Sequence, residues 1–128
     1  MNKDELKKRT KKFALRIFKF VMNLEQNKSI NVISYQLLKA SSSVAANYRA
    51  VCRGKSDADF LNKLKTVDEE ADESLFWLEF IDEMDLKCDK KELKSLMTEA
   101  NELVSIFSAA IRTIKSKNPQ SQILNPKS

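Results

Sequence analysis

The chain predicts an all-α protein: an antiparallel up-down four-helix bundle that is oligomeric. Three observations carry this reading. Apolar residues recur at helical spacing through four segments. The breaks between those segments are short, which makes consecutive helices antiparallel neighbours. The chain also holds one glycine, no histidine, and no proline before Pro119. A longer coiled coil would need uninterrupted repeats, and the short connectors and lone Gly54 argue for folding back instead.

The first helix is expected over Lys3–Gln26, with Leu6, Phe13, Ile17, Phe20, Val21 and Leu24 as its apolar stripe. Asn27-Lys28-Ser29 breaks it. A second helix from about Asn31 to Arg53 places Ile33, Leu37, Ala40, Val44, Tyr48 and Val51 on one side. Leu38, Ala45 and Cys52 widen that side, and its many Ala and Ser residues permit close helix approach. Gly54 stands just past its end, where a left-handed C′ residue belongs.

Ser56, with Asp59 three residues on, reads as an N-cap in a capping-box variant. The third helix then runs to about Leu86 with the stripe Phe60, Leu64, Val67, Ala71, Leu75 and Leu78. Lys87-Cys88-Asp89 is a connector in which Asp89 can cap the fourth helix. That helix carries Leu93, Leu96, Met97, Ala100, Val104, Phe107, Ile111 and Ile114. The expected organisation is one bundle domain over residues 1–117 and a flexible C-terminal tail over 118–128, which holds both prolines.

Composition narrows the function. Hydrophobic residues make up 42% and charged residues 32% of the 128, the balance of a soluble globular chain. No apolar run approaches a membrane span. The charged N-terminus lacks the apolar core of a signal peptide. Cys52 and Cys88 match no metal-ligand spacing, and reduced thiols in a cytoplasmic protein are the expectation. The net charge of +5 is segregated. Residues 56–86 carry two basic and eleven acidic groups, whereas residues 1–28 carry nine basic and three acidic. Such segregation points to complementary faces or to a basic surface that meets a partner.

Helix three has a second apolar face. On a wheel of about 100° per residue, Phe76, Trp77, Phe80 and Met84 fall opposite the main stripe. Four large residues on one exposed face are unusual for a monomer; they are the candidate oligomer interface. Leu15, Phe18 and Met22 form a narrower seam on helix one.

Helix one also carries a basic row. Lys8, Lys12, Arg16 and Lys19 share one outward face and are the candidate nucleic-acid-binding residues. A solvated basic helix is the plain alternative. The chain has no RNA-reading aromatic motif and no major-groove helix signature, so any such binding is to the backbone and not to sequence. Binding to a membrane surface is disfavoured, because the apolar face of this helix is needed for the core.

Little equipment for catalysis is present. Without histidine there is no Cys–His or Ser–His pair, and no phosphate-cradling glycine loop exists. Glu70 and Glu73 suggest a carboxylate metal site, but that architecture takes Glu-x-x-His pairs from facing helices. The expectation is a non-enzyme with no metal and no cofactor. Asn47, Arg49, Glu70 and Glu73 are instead candidates for a structural polar network. In a simple hairpin Arg49 and Glu69 are offset by about 12 Å at helical rise, so these charges are expected to meet between subunits or to take partners from another helix.

The stretch from Gln36 through Ala40-Ser41-Ser42-Ser43 and Val44-Ala45-Ala46-Asn47-Tyr48-Arg49, then Ser56, Phe60 and Lys63-Leu64, then Glu69 to Leu78, resembles the bacterial four-helix bundle family of 23S rRNA intervening-sequence proteins. The motifs span about residues 36–80; the outer helices match in pattern alone. Where the family often has glycine before the asparagine, this chain has serines. The resemblance implies a bundle that associates into a ring, a pentamer by preference. Some members are encoded within insertions in the large ribosomal RNA gene. A related branch serves diversity-generating retroelements, where a basic surface engages nucleic acid and a reverse transcriptase. Two readings stay open: an oligomeric bundle that binds RNA or DNA or docks a protein partner, and a purely structural interaction module.

Overall fold

A computed structural model describes residues 1–54 and 56–117. The expected tail, 118–128, lies outside the described residues. Four helices and no strand are present among the described residues: α1 Lys3–Met22, α2 Lys28–Val51, α3 Asp57–Glu83 and α4 Lys90–Lys117.

Each start is set by a side-chain cap. Asn2, Asn27, Ser56 and Asp89 accept hydrogen bonds from the backbone N–H groups of Glu5, Ile30, Asp59 and Glu92 at 2.8–3.1 Å. These bonds satisfy donors that a helix start leaves without partners. Ser56 and Asp89 were legible as caps. Asn27 caps α2, which starts at Lys28, ahead of the expected Asn31, and α1 ends at Met22, short of the expected Gln26.

The left-handed residue expected between α2 and α3 is found instead between α3 and α4. Gly54 does not have a positive φ; that conformation belongs to Asp85, at 53°. The Leu86 N–H reaches back to the Ile81 carbonyl and the Asp85 N–H to that of Asp82. This is the Schellman pattern, with Asp85 as the left-handed C′ residue. A Cβ on Gly54 would sit 3.1 Å from the Val51 carbonyl oxygen, so close backbone approach is what glycine provides there.

The helices pack in the cyclic order α1, α2, α3, α4, with α4 returning to α1. Polar contacts fix the register. Arg9 bonds Glu99 and Arg16 bonds Glu92 between α1 and α4. Asp82 bonds Lys94 and Asp68 accepts from Ser108 between α3 and α4. In both cases numbering on one helix rises as it falls on the other. Arg16 and Asp82 therefore stand at nearly the same height, because Glu92 and Lys94 are near neighbours on α4.

The core is one cluster drawn from all four helices, including Phe13, Ile17, Leu37, Val44, Leu64, Leu78, Leu96 and Phe107. The α1 and α2 stripes fall as expected, save that Val21 is only half-buried. Two stripes need correction. On α3 the buried line is Leu61, Leu64, Val67, Ala71, Ser74, Leu78 and Ile81, while Phe60 and Leu75 are half-buried. On α4 Leu103 is fully buried, whereas Met97, Val104, Ile111 and Ile114 of the expected stripe are half-buried. At Phe60–Leu61 and Leu103–Val104 two apolar residues stand side by side and the one nearer the bundle axis is buried, while at Leu75 the small Ser74 takes the buried place.

Candidate functional site

The basic face of α1 divides into two kinds of cation. Lys8, Lys12 and Lys19 are exposed, as is Lys11, and no salt bridge engages any of these four among the described residues. Arg16 departs from the expected open row. It is half-buried, donates to Glu92 at 2.8 Å and 3.3 Å, and donates to the Ser95 hydroxyl at 2.8 Å. Its pKa is raised, chiefly by the hydrogen bond to Glu92, against the opposing effect of burial.

Arg9 is tied still more firmly. Its Nε and Nη2 donate to the two carboxylate oxygens of Glu99 at 2.7 Å each, and Nη2 also reaches Glu102 at 2.9 Å. Such fork-to-fork pairing is the strong form of a charge-assisted bond. The sequence signal was available but weak: Arg9 and Arg16, like Glu99 and Glu92, stand about two turns apart. Matching them required the α1–α4 register, which joins opposite ends of the chain.

The α3 ridge is largely uncovered. Phe76, Phe80 and Met84 are 52%, 38% and 50% exposed. Trp77 is half-buried and packs against the core. The three rings form a cluster: Phe76 meets Trp77 edge-on at 4.9 Å between centroids, and Phe80 lies 5.4 Å from Trp77 and 6.0 Å from Phe76. The Trp77 indole N–H is buried without a hydrogen-bond partner, so apolar packing alone holds it. Val32 and Tyr35 on α2 are also exposed.

The α1 seam is exposed as well, at Leu15, Phe18 and Met22. Leu15 and Phe18 line a groove of about 600 Å³ between α1 and α2, with Ala14, Ala45, Ala46 and Ser42 on its floor and walls and Lys7, Lys8, Lys11 and Arg49 around it. The small residues of α2 make this groove: a larger side chain at 45 or 46 would fill it.

Asn47, Arg49, Glu70 and Glu73 are not joined into one network within the chain. Arg49 is exposed in the α1–α2 groove. Glu70 is half-buried on α3; burial, then the neighbouring Glu73 charge, pushes its carboxyl up, while Lys39 of α2 pulls it down. Among the described residues no salt bridge links Arg49 to either glutamate, and no hydrogen bond holds the Asn47 side chain. Nor do the described residues contain a cluster of three or more potential metal ligands. Cys52 and Cys88 are both free thiols. None of the described helices is long and apolar enough to cross a membrane.

Four helices among the described residues, with a basic face on α1 and an open aromatic ridge on α3, define a small all-α bundle. The family model of the 23S rRNA-intervening sequence protein matches residues 2–109. The chain belongs to that family. It is similar to a crystal structure of a protein of unknown function from the S23 ribosomal protein family of Bacteroides thetaiotaomicron. The identity is 30%, covering 82% of this chain and 96% of that one, and the TM-score is 0.72. Among curated proteins none matches.

Proposed function

We propose that this protein is a non-enzymatic, cytoplasmic, up-down antiparallel bundle that works as a homo-oligomer, a pentamer by preference, and holds nucleic-acid backbone without reading sequence. The observation that carries this reading is the exposed set Lys8, Lys12 and Lys19, with no carboxylate paired to any of them among the described residues. Structural cations in this bundle are paired across helices, as Arg9 and Arg16 are. The lysines left over are free to exchange counterions for phosphates.

A single copy offers few contacts, and affinity of this kind is typically about 10⁻⁴–10⁻⁶ M at physiological salt. An oligomer repeats the face in every subunit, and simultaneous contact then multiplies affinity. The family's name ties its genes to ribosomal RNA and accords with RNA as the polymer.

Fluorescence anisotropy with RNA and DNA, single-stranded and structured, across a salt series tests the reading. Affinity should fall with salt, vary little with sequence, and weaken when Lys8, Lys12 and Lys19 become Gln. Absence of binding near 50 mM salt, well below the physiological range, would overturn it. The second reading, a structural module whose basic face gives solubility, would then lead. It is favoured by the exposed aromatic ridge, which suits protein association and not phosphate.

A further inference from the structure

We propose that the aromatic ridge of α3 seats head to tail in the α1–α2 groove of a second copy of this chain, with its flanking carboxylates over the groove's cations. The proposal rests on the self-association reading above and names the surfaces that would carry it.

Charge complementarity is the first argument. Glu69, Asp72, Glu73, Glu79 and Glu83 surround the ridge and are all exposed. No salt bridge engages any of them among the described residues. The groove presents the opposite sign, with Lys8, Lys11 and Arg49 unpaired and Lys7 held only by Asp4 at 3.8 Å. Each surface also joins apolar residues to its charges: Phe76, Phe80 and Met84 on one, Leu15, Phe18 and the Ala14–Ala45–Ala46 floor on the other. Two ridges facing each other would bring five uncompensated carboxylates from each side together. Like charges disfavour that isologous contact.

Height is the second argument. Arg16 and Asp82 stand level, as their α4 partners show. Arg9, whose partner Glu99 lies between Lys94 and Ser108 on α4, stands near Trp77. The groove segment of α1 and the ridge of α3 thus occupy the same slice of the bundle. A rotation without translation brings one onto the other, as closed cyclic symmetry requires.

Direction is the third. With the helices in the cyclic order α1, α2, α3, α4, the α1–α2 groove and the outward side of α3 are different faces of the bundle, as a heterologous contact between copies requires. Docking divides the basic surface. Lys7, Lys11 and Arg49 become interface cations, Lys8 lies at the lip, and Lys12 and Lys19 stay outside.

Two blocked variants of the full chain test the pairing. Phe80→Glu spoils the ridge and Phe18→Glu spoils the groove; each is an exposed position, and circular dichroism confirms that the helices persist. By sedimentation velocity the wild type should run larger than a dimer and each variant as a monomer. An equimolar mixture retains one intact groove and one intact ridge, so it should yield a 1:1 dimer and nothing larger. Should Phe18→Glu unfold the chain, Leu15→Glu replaces it. A Phe18→Glu protein that assembles like wild type, or a mixture that stays monomeric, overturns the head-to-tail pairing. A wild-type monomer at high micromolar concentration instead overturns self-association itself.

Discussion

Arg9 of α1 and Glu99 of α4 meet through two parallel hydrogen bonds of 2.7 Å each. The pair closes the ring of helices between the first and the last, where packing is thinner than between α2 and α3. The Arg9 pKa is raised, above all by the bond to Glu99. Both side chains are largely shielded from water. Hydrogen bonds to charged groups contribute about 1.5–3 kcal/mol, more than an exposed ion pair does.

Arg9→Gln and Glu99→Gln should each lower stability by about 1–2 kcal/mol in urea unfolding. The double variant should lose less than the sum, because both changes remove the same contact. Strict additivity would show that the pair does not couple α1 to α4.

Glu70→Gln should raise the melting temperature at neutral pH. Burial and then Glu73 raise the Glu70 pKa in the folded state. A carboxyl raised on folding contributes stability that is present below its unfolded pKa and lost as pH rises through the folded value. The gain from Gln should therefore be seen at pH 7 and shrink as the pH falls into the carboxylate range. A lower melting temperature at pH 7 would mean that the charge of Glu70 is used within the fold.

Tyr48 gives the alkaline counterpart. Burial first, and then Cys52, push its pKa up to about 12, while its ring packs 5.8 Å from that of Phe107. Its contribution is intact below about pH 10 and falls by about 1.4 kcal/mol per pH unit up to the folded value. Tyr48→Phe should lack this component of the alkaline slope when chemical denaturation is repeated from pH 9 to 12. Identical slopes would contradict the assignment.

Leu103 and Val104 separate the observed α4 core line from the expected one. Leu103 is fully buried; its change to Ala should cost about 2–5 kcal/mol. Val104→Ala should cost less, since Val104 is only half-buried. Equal losses would argue for the other helix phase.

Helix number, order and most of the core were legible, because burial imposes its period on the sequence. The buried α2 line Ile33, Leu37, Ala40, Val44, Tyr48 and Val51 is the clearest case. Phase was less legible where adjacent apolar residues compete, as at Phe60 and Leu61 or Leu103 and Val104. Glycine's conformational freedom predicts the left-handed turn at Gly54; Asp85 adopts it instead, within the Schellman bonds that end α3. The open ridge could be read from a wheel, since that needs one helix alone. The capture of Arg16 by Glu92 could not, because its register depends on all the helices between.

The salt dependence of RNA binding tests the central claim most directly. Log affinity plotted against log salt has a slope set by the number of phosphates neutralised, about 0.7 per contact on a single strand. Changing Lys8, Lys12 and Lys19 to Gln should flatten the slope measured for wild type, whereas Arg16→Gln should leave it unchanged because Glu92 already holds that guanidinium. A triple variant that keeps both the wild-type affinity and the wild-type slope would contradict the account.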